Sequence, residues 1–212
     1  SRGLPFGVAA SEYSREKNLD MFENATNGVG RILSHQKELC AAVSASPQMI
    51  GIRGSVEDPE SLRYIRDVVG VVQSMLEAGG TAVLDWQSLR WWTPDEWHDK
   101  VFSCDEFIPQ RHVSILVSQE ENSDLGVWFH TRGMRKFGRP DLSVRGVNPA
   151  YQELAIELCN RFIELQAFGH VIPEGQKVRL KGLPDGMTCR HSGSFEDPDF
   201  NNTHVEIEWP KS

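Results

Sequence analysis

Residues 128–142 hold the chain's densest set of groups able to handle an anion. Trp128-Phe129-His130-Thr131 reads as an apolar strand that delivers an imidazole and a hydroxyl to a loop carrying Gly133 and Gly138. From 131 to 145 five residues are basic (Arg132, Arg135, Lys136, Arg139 and Arg145), and only Asp141 is acidic. That is a local charge of +4 in a chain of formal charge −8, which leaves −12 for the remainder. Exposed backbone amides at glycine turns, together with guanidinium groups, would cradle a phosphate or a carboxylate. His130, Arg132, Arg135, Lys136 and Arg139 are therefore the candidate anion-binding residues. The competing reading is a strand–loop–strand connection whose cations pair with the protein's own acids.

Other patterns point to recognition rather than catalysis. Trp86, Trp91, Trp92 and Trp97 lie close together, and tryptophan anchors interfaces when part of its ring stays exposed. Two acidic features and one apolar one offer contacts for a basic partner: the loop Glu196-Asp197-Pro198-Asp199, the turn Glu120-Glu121-Asn122-Ser123-Asp124, and the Trp91-Trp92 edge. Nucleophile and phosphate-loop motifs are missing, and His191-Ser192-Gly193-Ser194 reads as a polar turn. Glu206 and Glu208 project to one face of a strand, where alternation with Val205, Ile207 and Trp209 suggests half-solvation, not a carboxylate pair across a cleft. The seven histidines make no paired spacing, and His98, Cys104 and His112 would converge only by an unusual fold. No catalytic residue, metal or cofactor is expected.

Composition narrows the class. Apolar residues make 39% and charged residues 25% of the 212, an ordinary globular balance. No apolar run approaches the roughly 18 residues that span a bilayer. The acidity argues against a general nucleic-acid binder. Cys40, Cys104, Cys159 and Cys189 are widely spaced without a C-x-x-C pair, which favours a reducing, cytoplasmic setting over a disulfide framework. The start, Ser1-Arg2-Gly3, lacks Met and a signal-peptide core, and reads as a trimmed end.

The elements that must position these groups follow from periodicity. Leu4 to Ala9 reads as extended. Tyr13 to Val43 turns helical with a break at Asn27-Gly28, and Val29, Ile32, Leu33, Leu39, Cys40 and Val43 share one face. Met49 to Ile52 is a short strand. Asp58-Pro59-Glu60 then opens a helix with the stripe Leu62, Ile65, Val68, Val69, Val72, Met75 and Leu76, closed by Gly79-Gly80. Thr81 to Trp86 follows as a strand, so the run is long enough for a crossover between parallel strands. Thr93-Pro94-Asp95-Glu96 is a capping box leading a short helix to Phe102. His112–Ser118 and Leu125–His130 form a hairpin signal, and Asp141–Arg145 a further strand. Asn148-Pro149 opens a third helix ending at Gly169, and the tail is strand-like with turns at Pro173-Glu174-Gly175 and Pro184-Asp185-Gly186. The expectation is an α+β (or α/β) single domain over 1–212. It would have a mixed β-sheet, helices packed on it and a strand-rich C-terminal third.

The run His130-Thr131-Arg132-Gly133-Met134, followed by Phe137-Gly138-Arg139-Pro140-Asp141-Leu142, resembles the hallmark of the bacterial domain of unknown function 4261 family. Gly79-Gly80 through Trp92-Thr93-Pro94 is similar to that family's upstream part, and the resemblance covers about residues 48–209. It implies no reaction or cofactor. Related domains occur among bacterial toxin–immunity proteins, which implies a protein-binding role. The leading expectation is thus an immunity or antitoxin-type protein that blocks a toxin-like partner enzyme. The alternatives are a small-anion receptor or enzyme centred on His130, Arg132 and Arg135, and an oligomerisation domain with an adhesive edge strand at 203–209.

Overall fold

Why the chain turns where it does is clearest at its caps. In the computed structural model, which describes residues 3–28, 36–57, 61–119 and 126–210, the Thr93 hydroxyl accepts from the Glu96 amide. The Glu96 carboxylate in turn accepts from the Thr93 amide, as the capping box requires. Asn148 likewise accepts from the Ala150 amide at 2.9 Å ahead of Pro149. Val29, Ile32 and Leu33, the cap Asp58-Pro59-Glu60, and Glu120, Glu121 and Asp124 lie outside the described residues.

The chain divides into two compact units, 1–107 and 108–212. In the first, β1 (Val8–Ser14) and β2 (Gln48–Gly54) form an antiparallel two-stranded sheet, from Val8 opposite Gly54 to Ser14 opposite Gln48. The helix expected from Tyr13 is therefore a strand at its start. Ladder bonds to β2 override the local helical pattern, and helix α1 begins only at Leu19–Glu23. Helix α2 (Lys37–Ala45) ends where the Arg15 guanidinium donates to the carbonyls of Val43 and Ser46, both at 2.8 Å. Helix α3 (Arg63–Glu77) buries Ile65, Val69 and Leu76, the stripe read from its period.

Helix α3 is not a parallel crossover. β2 pairs with β1, and β3 (Val83–Asp85) pairs antiparallel with β4 (Arg90–Trp92) in a separate sheet. The reason lies at Asp85, whose carboxylate accepts from the amides of Gln87 and Ser88 and turns the chain straight back. Helix α4 (Pro94–Trp97) follows, with Trp97 edge-on to Trp92 at 6.3 Å.

The second unit is one mixed sheet in the order β5-β6-β7-β9-β8. Its strands are β5 (Ser114–Gln119), β6 (Val127–Arg132), β7 (Asp141–Val147), β8 (Thr188–Ser194) and β9 (Asn202–Glu208). β7 and β9 run parallel and the other pairs antiparallel. The long helix α5 (Gln152–Ala167) supplies Ala155, Leu158, Cys159 and Phe162 to a core with Phe129, Leu142, Val144, Val205 and Ile207. The fold is α+β, with a mixed sheet and helices, as expected.

Two expectations change here. Residues 203–209 are no sheet edge, because β9 is hydrogen-bonded on both sides, to β7 and to β8. His191-Ser192-Gly193-Ser194 is not a turn but the end of β8, paired with β9 from Val205 to Asn202.

Candidate functional site: a pinned acidic loop

The motif at 130–142 resolves into a buried polar knot. The Asp141 carboxylate, fully buried, accepts from the Thr131 hydroxyl at 2.9 Å, the Met134 amide at 3.2 Å and the Asn202 side-chain amide at 2.9 Å. Thr131 Oγ1 accepts in turn from the Leu142 amide at 2.8 Å. Burial raises the Asp141 carboxyl to about 6, against the pull of its donors. Gly133 (φ 125°) and Gly138 (φ 66°) supply backbone that L-residues rarely adopt, while Met134 and Phe137 plug the core. Thr131, Met134, Phe137, Asp141 and Leu142 of the motif each have a packing or hydrogen-bonding task.

Two cations of this segment, Arg132 and Arg135, are also committed. Arg132 Nη1 donates to the carbonyls of Pro198 and Asp199, at 3.1 and 2.7 Å. Arg135 Nη1 donates to the carbonyl and the side-chain oxygen of Asn201, at 2.8 and 3.0 Å, and its guanidinium lies 4.9 Å from the Phe195 ring centre. Arg139 Nη1 bonds the neighbouring Gly138 carbonyl, and Lys136 sits in the short turn Met134–Phe137. His130 is only 5% exposed. Its ring stacks on Trp128 at 3.9 Å and meets Phe200 edge-on at 5.4 Å. Of the expected anion cluster, Arg132 and Arg135 thus clamp the protein's own backbone at 198–201.

What the clamp holds is the loop between β8 and β9. Asp197 Oδ1 accepts from the amides of Asp199 and Phe200, closing a local turn, and Asn201 takes the left-handed conformation (φ 53°) that asparagine tolerates. Phe200 wedges inward, stacked on His204 at 4.1 Å. That wedge lies against the sheet face away from α5, since Trp128, His130 and His204 alternate with residues of the α5-side core. Arg145 covers the outer side of the Trp128 ring at 3.8 Å. Burial lowers the His130 imidazole to about 4 and depresses His204 in the same sense.

With its roots fixed, the loop turns Phe195 outward, 58% exposed, beside the exposed carboxylates of Glu196 and Asp199; Asp197 is half-buried. Trp91 and Trp92, expected at a binding edge, are only 8% and 2% exposed. They pack inside the first unit, Trp91 in a core with Leu39 and Val43, so they offer no contact surface. The exposed member of that tryptophan group is Trp86, at the β3–β4 turn. Sequence reasoning missed Phe200, Asn201, Asn202 and His204. A buried asparagine and a half-buried histidine near a strand start give no signal until the tertiary contacts exist.

Among the described residues no group of three His, Cys, Asp or Glu is placed to hold a metal ion, and no helix is long and apolar enough to cross a membrane. All four cysteines are free, and burial pushes Cys159 up to about 12 and Cys189 to about 11, which makes both poor nucleophiles. No family model, curated protein or solved structure matches the chain.

Proposed function

We propose that this protein is a protein-binding module of the immunity or antitoxin type, which docks its 195–199 loop onto a basic site of a toxin-like partner enzyme and blocks it. The observation that carries the reading is the pinned loop. An exposed phenylalanine flanked by carboxylates is fixed from below by Arg132, Arg135 and the Phe200 wedge. Pre-ordering removes much of the entropy cost that a free loop would meet on binding. A rigid aromatic with carboxylates beside it, braced by the Arg135 guanidinium, suits an interface anchor with a charged rim. The net charge of −8 favours a cationic partner, and the 130–142 resemblance points to the same class of protein. Commitment of Arg132 and Arg135 to loop carbonyls weighs against the small-anion alternative.

The test is native mass spectrometry of the protein captured gently from its own host, beside Phe195→Ala and Glu196→Lys. The expected result is a stoichiometric second polypeptide whose enzymatic activity the wild-type chain inhibits. Either substitution should weaken that complex by about tenfold or more, and association should slow as salt rises. A complex that both variants retain unchanged would move the interface elsewhere. A bare chain without partner would overturn the reading.

A further inference from the structure

The two edges of the five-stranded sheet are treated differently. Beyond β8 the edge is covered. The Gly175 amide donates to the Cys189 carbonyl at 2.8 Å, Cys189 donates to Gln176 at 2.9 Å, and Val178 donates to Met187 at 3.0 Å. Lys177 bridges Thr188, and the Glu174 carboxylate takes the His191 amide at 2.7 Å. Such cover, with charges such as Arg190 on the strand, is how sheets avoid pairing with other chains.

Among the described residues β5, at the other end, carries no such cover. Among the described residues its only hydrogen-bonded strand neighbour is β6. Alternate residues of Ser114–Gln119 therefore turn unpaired backbone groups outward. The strand reads Ser114-Ile115-Leu116-Val117-Ser118-Gln119, without charge, glycine or proline, in a chain that is 25% charged. Val117 is 47% exposed.

The strand's order also says which occupant fits. Ser-Ile-Leu-Val-Ser is a palindrome in residue class about Leu116. A two-fold axis through Leu116, normal to the sheet, would set Leu116 against its copy, Ile115 against Val117 and Ser114 against Ser118. Paired residues then share parity, so each meets a partner on the same face and with the same backbone direction. Hydroxyl meets hydroxyl and aliphatic meets aliphatic, and no like charges oppose each other. Moving the axis to Val117 would instead set Leu116 against Ser118 and Ile115 against Gln119. We infer that β5 pairs antiparallel with β5 of a second copy, about Leu116, to give a continuous ten-stranded sheet across a homodimer. This inference is independent of the acidic loop and its partner.

Sedimentation equilibrium over micromolar to sub-millimolar protein tests it, with wild type, Val117→Lys and Val117→Thr compared. The wild type should show a monomer–dimer equilibrium. Val117→Lys should weaken it by about tenfold or more, because two lysines are brought to the seam, whereas the uncharged, β-branched Val117→Thr should keep it. Circular dichroism melting checks that each variant folds. Hydrogen exchange supplies a second readout: the outward amides of 114–118 should slow with concentration in the wild type and not in Val117→Lys. A wild type that stays monomeric throughout overturns the inference, as does a dimer whose strength and β5 exchange ignore Val117→Lys. Strand addition by a different protein would appear as slowed β5 exchange only when that protein is present, with the chain alone monomeric, and would also overturn self-pairing.

Discussion

His130 and Asp141 have opposite responses to acid. A histidine whose folded value is about 4, against an ordinary 6.5, stays neutral when folded and takes a proton when unfolded. Its contribution to stability is full above pH 6.5 and is lost as pH falls towards 4, by up to about 3 kcal/mol. Asp141 runs the other way. Its raised folded value of about 6 means that its contribution is full below about 4 and is lost as pH rises through 6. Between pH 4 and 6 the two slopes partly cancel, so the wild type should show a shallow profile there. His130→Phe keeps a flat ring between Trp128 and Phe200 and cannot titrate. Urea unfolding at pH 4.5 and 7 should therefore show the variant gaining on the wild type at the acid end, by roughly 2 kcal/mol. Equal differences at both pH values would mean that His130 takes up its proton in the folded state as readily as in the unfolded one.

At the scale of elements, the 195–201 loop owes its shape to groups 60 or more residues away in the chain. Arg135 contributes two hydrogen bonds to Asn201 and covers the Phe195 ring, yet it stands outside the hydrophobic core. Removing it in Arg135→Ala should cost only about 1 kcal/mol of global stability. Amide exchange at 199–201 should meanwhile rise by about tenfold, and that of β7 should stay unchanged. An unaltered loop would mean that Arg132, Asp197 and Phe200 hold it without Arg135. This division of labour explains what could be read in the sequence. The capping box at Thr93, the helix after Asn148-Pro149, the α3 stripe and the β5–β6 hairpin rest on short-range signals, and they stand where expected. The antiparallel pairing of β1 with β2, the interior place of β9 and the burial of Trp91 and Trp92 rest on contacts between distant segments, which periodicity does not encode. For the same reason the charge and glycines of 131–145 were legible as a special segment. Their targets, the carbonyls of 198–201, were not.

For the whole molecule, the second unit has the makings of an independent folding body. Residues 108–212 contain the entire five-stranded sheet, the helix α5 that covers one face, and a core in which Phe129, Leu142, Val144, Val205 and Ile207 are essentially fully buried. A chain of this size lies within the range in which a single core suffices without disulfides or metal. The buried Asp141 carboxylate is answered by donors from the same unit: Thr131, Met134 and Asn202. The pinned loop and the β5 edge belong to it as well. A fragment of residues 108–212 should then fold cooperatively, with a dispersed amide spectrum and a single melting transition. It should also carry both the partner-binding and the self-pairing behaviour of the full chain. A fragment that is unfolded, or that collapses without a cooperative transition, would show that the sheet depends on residues 1–107 for its stability. A fragment that folds but loses partner binding would place part of that interface in the first unit, where Phe6, Trp86 and Phe102 are exposed aromatics to substitute next.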